Sequence, residues 1–83
     1  MFIVSVYVTM RPTVNDPVGL TVHGGLSDLG FDTVDSVRAG RMFQIRLRET
    51  DRVAAETAAR QMCDQLLANP VIEDYRFEVE QVE

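Results

Sequence analysis

The stretch "TVDSVRAGRMFQIRLR", residues 33–48, decides how the rest of the chain is read. In its second half Phe43, Ile45 and Leu47 alternate with Gln44, Arg46 and Arg48, the period-2 pattern of a strand with one buried face. Ala39-Gly40 offers a tight turn, so the stretch is expected to form two antiparallel strands. A hairpin here, in the middle of the chain, requires a matching element on each side.

Upstream, "FIVSVYV" is rich in β-branched and aromatic residues, with Phe2, Val4, Val6 and Val8 on one face and Ile3, Ser5 and Tyr7 on the other. Both faces are largely apolar, as in a central strand. After "TMRPTVN", Asp16 is placed to cap a helix, and Pro17 fits its first position because no N–H is needed there. Val18, Val22, Leu26 and Leu29 follow the helical period, and Gly30 supplies the stop. Gly24 and Gly25 weaken that helix by about 1 kcal/mol each relative to alanine. They imply either a close approach to the sheet, a local distortion, or a bare backbone surface for a partner.

Downstream, Thr50 or Asp51 begins a second helix with the core stripe Ala55, Ala58, Ala59, Met62, Cys63 and Leu66, and Glu56 and Arg60 pair across one turn of its wet side. Asn69 is expected to take the left-handed conformation that closes this helix, and Pro70 forbids its continuation. The last strand then turns Tyr75, Phe77 and Val79 inward and Arg76, Glu78 and Glu80 outward. The order β-α-β-β-α-β predicts an α+β, ferredoxin-like fold: a four-stranded antiparallel sheet, order 4-1-3-2, with two helices on one face. The other face would show Ile3, Tyr7 and Met42. These are more apolar than solvent favours, so a second subunit is expected to cover them.

Eighty-three residues are read as one domain, 1–83, and so short a chain buries only roughly 60 to 65% of its unfolded surface. A net charge of −5 argues against nucleic acid, although Arg11, Arg38, Arg41, Arg46 and Arg48 can gather locally. The chain has no apolar run near the roughly 20 residues of a membrane span and no signal-like N-terminus, which makes the cytoplasm the expected location. One cysteine, Cys63, excludes an internal disulfide and is expected to be a buried packing residue. One histidine, His23, leaves no two-imidazole metal site or obvious catalytic triad, and it reads as solvated or capping. Glu73-Asp74 and the acidic tail read as the solvated side of an edge strand. "HGGLSDLG" lacks the lysine and the preceding strand of a phosphate loop, so ATP binding by this chain is not expected.

With these elements in place, "LLANPVIEDYRFEVE", supported by "RPTVNDPVG" and "LGFDTVDSVRAGR", resembles the PurS family, the small subunits of phosphoribosylformylglycinamidine (FGAM) synthase in bacteria and archaea. The likeness covers nearly the whole chain, and "ANPVIEDY" is its most specific part. The departure is "LTVHGGL", where family members carry better helix formers. The resemblance implies the fourth step of purine synthesis, in which a PurL-type synthetase subunit uses ATP and Mg²⁺, and a PurQ-type glutaminase subunit releases ammonia. The small subunit joins the two, so no catalytic residue, cofactor or metal is expected in this chain itself. Independently of the resemblance, the uncovered apolar sheet face of so small a domain predicts a homo-oligomer, most simply a symmetric dimer, with a tetramer left open. The expected subunit contacts are Ile3, Tyr7 and Met42 on the open face, the basic pair Arg38 and Arg41, and the joint and edge at Asn69, Pro70, Val71 and Tyr75. Two other classes share the element order. An ACT-type regulatory domain would bind a small molecule, and an acylphosphatase-like enzyme would need a phosphate cradle, which "TMRPTVND" lacks.

Overall fold

Alternation along Phe2–Met10 produces the central strand β1, with Phe2, Val4, Val6 and Val8 all fully buried on one face. The computed structural model describes residues 1–82. Helix α1 (Pro17–Asp28) follows, then β2 (Gly40–Leu47), α2 (Arg52–Met62) with a π-helical turn over Cys63–Leu67, and β3 (Glu73–Gln81). β2 and β3 flank β1, both antiparallel, in the order β2-β1-β3. The core lies between this sheet and α2, whose Ala55, Ala59 and Cys63 are buried and meet the inward row of β1. Phe43, Ile45, Leu47, Tyr75, Phe77 and Val79 pack around that core as the alternation predicts.

The sheet therefore has three strands, not the expected four. Residues 34–39 form no strand and pair with nothing, and β2 begins at Gly40 without a hairpin turn before it. The physical reason is visible in the pattern: Val34 and Val37 are three apart, so the segment has no apolar face of period 2. The three strands that form keep the predicted neighbours, and only the outer strand of the order 4-1-3-2 is missing.

Only α2 lies on the sheet. α1 is an uninterrupted helix despite its glycines, but it makes no extensive contact with the strands or α2. Val18, Leu20, Leu29 and Phe31 stay 55 to 75% exposed. Gly24 and Gly25 have open space where a Cβ would stand, so they mark neither a close approach to the sheet nor a distortion. The molecule measures 49 × 29 × 14 Å with a radius of gyration of 16.2 Å, against about 12 Å for a compact chain of this length. α1 and the returning segment form a projecting arm.

Both caps of α1 are as predicted. The Asp16 side chain accepts from the Gly19 N–H at 3.0 Å, and Pro17 occupies the first turn. At the other end Gly30, at φ 94°, lets its own N–H reach the Ser27 carbonyl and the Phe31 N–H reach the Leu26 carbonyl, a Schellman closure. α2 starts at Asp51, which accepts from Ala54 N–H. Its predicted Glu56–Arg60 pair does not form among the described residues, and Arg60 lies instead over the Phe77 ring, 5.8 Å from its centroid.

Candidate functional site

The joint between α2 and β3 is built around one carboxylate. The π-helical turn carries the Ala68 N–H to the Cys63 carbonyl and rotates the helix end, so Leu66, expected in the core, is 83% exposed while Leu67 turns inward. Asn69 does not adopt a left-handed conformation; no residue but Gly30 has positive φ among those described. The helix is closed by Glu73, whose Oε1 accepts the Asn69 N–H at 2.8 Å. Asn69 then uses its side-chain Oδ1 to accept from Val71 N–H, and its carbonyl to accept from Ile72 and Glu73, which forms the tight turn across Pro70.

Glu73 is therefore buried, 7% exposed, and not on the solvated side of the edge strand where it was expected. The Arg41 guanidinium donates to the same oxygen at 2.8 Å and to the Leu67 carbonyl at 3.2 Å. This hydrogen bond from Arg41, then that from Asn69, holds the Glu73 carboxyl below the usual carboxylate range against the opposing effect of burial. Arg11 ties the outer side of the joint, donating to the Pro70 carbonyl and pairing with Asp74 at 3.5 Å, and its backbone N–H meets the Ile72 carbonyl.

A surface hollow of about 290 Å³ lies at this joint, between Arg11, Cys63, Asp64 and Tyr75. Its chemistry is quiet. Burial, and then the neighbouring Asp64, push the Cys63 thiol up and keep it protonated. Tyr75 donates its hydroxyl to Asp64 at 2.9 Å, and burial followed by that bond raises its pKa. His23 is on α1, half-exposed, with its Nε2 donating to the Val34 carbonyl at 3.0 Å, so it ties α1 to the returning segment. Among the described residues no three of His, Cys, Asp and Glu gather to hold a metal ion.

The root of the arm is a second clamp. Asp16 Oδ2 accepts from the Ala39 N–H at 2.7 Å while Oδ1 caps α1, and these backbone donors, Gly19 first and Ala39 next, keep its carboxyl below the ordinary range. Gly19 packs so closely that a Cβ there would lie 2.3 Å from the Val37 carbonyl. Arg38 closes the clamp by donating to the carbonyls of Met10, Arg11 and Val14. Arg38 and Arg41, expected beside a turn, are thus neither merely solvated nor next to a hairpin. Each is spent on its own chain.

The remaining expected contacts lie where predicted. Ile3, Tyr7 and Met42 share the sheet face opposite α2, with Met42 exposed and Ile3 and Tyr7 half-covered. Arg76 lies over the Tyr7 ring, 4.0 Å from its centroid, and pairs with Glu78 at 3.1 Å. Asn69, Pro70 and Val71 are exposed at the joint, and Leu66 of the π-helical turn is exposed as well. Sequence reasoning missed the buried role of Glu73 and the projection of α1. For Glu73 a signal existed, because it shares the inward parity of Tyr75, Phe77 and Val79.

Comparison with known proteins places these features. Residues 3–81 match the family described as "PurS: Phosphoribosylformylglycinamidine (FGAM) synthase". The FGAM synthase subunit PurS of Synechocystis sp. is 47% identical over 78 residues, 94% of this chain and 78% of that one. The crystal structure of Methanocaldococcus jannaschii PurS, one of the subunits of formylglycinamide ribonucleotide amidotransferase in the purine biosynthetic pathway, superimposes with a TM-score of 0.89 at 35% identity, covering 100% of both chains. A chain of the PurLQS structure from Thermotoga maritima gives 0.87 at 26% identity, covering 95% of this chain and 96% of that one.

Proposed function

Because the chain belongs to the PurS family, the small subunits of phosphoribosylformylglycinamidine synthase, we propose that it serves that enzyme as a non-catalytic subunit. In this reading it joins a PurL-type synthetase subunit to a PurQ-type glutaminase subunit and supports transfer of ammonia between them. The observation that carries the reading is the division of labour among its residues. Asp16, Glu73, Arg38 and Arg41 hydrogen-bond within the chain, while Val18, Leu20, Leu29 and Phe31 leave apolar surface exposed for other chains. ATP and Mg²⁺ are then the synthetase subunit's, and the setting is the cytoplasm. No helix is long and apolar enough to cross a membrane.

The fourth strand and second sheet-covering helix of a ferredoxin-like layer are, in the same reading, supplied by a second copy. α2 contacts β1 and β3, leaving Phe43, Ile45 and Leu47 of β2 only half-covered, and the outer edge of β2 has no partner. The arm carries what is missing: the apolar stripe of α1 and an unpaired extended segment at 34–39. Within one chain α1 makes no extensive contact with β2, so exchange between two copies would bring the stripe and the open edge together.

Mixing the chain with synthetase and glutaminase subunits from one source should yield glutamine-dependent amidation of formylglycinamide ribonucleotide. Omitting it should abolish that coupling while the synthetase keeps activity with high external ammonia. Full glutamine-dependent turnover without this chain would overturn the reading.

A further inference from the structure

The hollow at the joint between α2 and β3 carries charge that the fold does not use. Asp64, Glu73, Asp74 and the Arg11 guanidinium line it, beside neutral groups from Cys63 and Ala68. Glu73 is matched by Arg41 at 2.8 Å and adds no free charge. Asp64 has no ion-pair partner among the described residues. It is exposed, and its Oδ1 accepts the Tyr75 hydroxyl at 2.9 Å while Oδ2 accepts no hydrogen bond from the described residues.

Arg11 is only partly occupied. A guanidinium has five N–H donors. One here donates to the Pro70 carbonyl, and the approach to Asp74, 3.5 Å between side chains 45 and 60% exposed, is a loose pair of the kind that contributes little. Arg11 pairs with Asp74 and not with Asp64, so two opposite charges with unused hydrogen-bonding capacity line one hollow without meeting.

We propose that this hollow binds a free α-amino acid, with its ammonium group on Asp64 and its carboxylate on Arg11. Both contacts are charge-assisted hydrogen bonds. A simple anion is disfavoured, because Asp64 and Asp74 stand around the one unmatched guanidinium. A simple amine would engage Asp64 and leave the Arg11 donors idle. A zwitterion satisfies both groups at once, and Asp74, being exposed, turns to solvent when the ligand carboxylate takes its place. The Tyr75 hydroxyl holds one oxygen of Asp64 and leaves the other for the ligand. The site is pre-formed, since Arg41 and Asn69 hold Glu73 and so set the turn across Pro70. Its volume of about 290 Å³ is at the small end of ligand sites. At ~30 Å³ for each water-sized group that is room for about ten, which suits an amino acid and is too little for a nucleotide.

The site rests on this chain's own side chains and not on the subunit reading, so the test uses the pure protein alone. Each of the common L-amino acids is titrated into it, followed by calorimetry and by the amide signals in two-dimensional NMR spectra. At least one should bind saturably with a Kd of about 1 mM or tighter and move the signals of Asp64, Asp74 and Tyr75. The amine and the carboxylic acid made by removing one charged group from the tightest binder should each bind about tenfold more weakly or worse. Asp64→Asn keeps an acceptor for the Tyr75 hydroxyl and removes only the charge, so it should lower affinity by a similar factor while circular dichroism stays unchanged. Arg11→Gln should do the same, and Asp64→Asn decides alone should that variant not fold. No saturable binding by any amino acid overturns the proposal, as do saturable shifts confined to residues outside the hollow. Binding that either folded variant leaves intact also overturns it, and so does an amine that binds as tightly as its parent amino acid, which would make the hollow a simple cation site.

Discussion

Glu73 organises more of this chain than any other polar residue. Its carboxylate closes α2, receives Arg41 from β2 and opens β3, so one side chain links three elements. Removing Arg41 leaves a buried carboxylate with half its donors, and Arg41→Ala should cost about 1–3 kcal/mol of stability in urea melts. The pH dependence follows from direction. Glu73 and Asp16 both titrate below the ordinary carboxylate range when folded, so their stabilisation is complete above the unfolded value, about pH 4–4.5. It is lost as pH falls through the lowered folded values. Melting temperature should thus be level from pH 7 to 5 and drop below 4, and Glu73→Gln should shallow that drop. A chain that gains stability on acidification would contradict the clamp. Asp16 was legible as a cap from "NDPVG", because capping is local chemistry. Its second bond, to Ala39, spans 23 residues, and nothing local announces it.

At the scale of elements, β1, β2, β3, α1 and α2 were all legible, since each rests on a local period or cap. The two failures were places where the outcome depends on what lies opposite. The π-helical turn moved Leu66 out because Glu73 and Asn69 set where the helix ends, and residues 34–39 stayed unpaired because Val34 and Val37 give them no apolar face of period 2. The glycines of α1 now make separate predictions. Gly25 falls on the Val18–Val22–Leu29 stripe, whereas Gly24 falls on the far side of the helix, given about 100° of rotation per residue. Both have open space around them. Gly24→Ala should stabilise α1 by about 1 kcal/mol without affecting assembly. Gly25→Ala should gain as much in the helix but weaken self-association, because its Cβ enters the contact. Equal dissociation constants for the two variants would remove Gly25 from the interface and redirect the arm's stripe.

For the whole molecule, the same amphipathic pattern that predicts a helix on the chain's own sheet is satisfied equally by a helix on a second copy's sheet. That is why the pattern predicts a four-stranded layer with two covering helices although this chain forms three strands with one helix on them. An 83-residue chain that extends an apolar arm has given up part of the burial that would hold it folded alone. Folding and association are then one equilibrium, and stability depends on concentration. For a dimer each tenfold rise in protein concentration adds about 1.4 kcal/mol. With an unfolding entropy near 0.35 kcal/mol/K for two chains, that raises the melting temperature by about 4 °C. Val22→Asp provides the control, because valine and aspartate have similar helix propensities and the change removes packing without removing the helix. The variant should melt lower, with no dependence on concentration, while retaining the secondary structure of the clamped core at low temperature. If the unaltered protein melts at one temperature across a hundredfold range of concentration, the arm is covered by something other than a second copy, and the exposed stripe of α1 becomes the first place to seek the synthetase or glutaminase subunit.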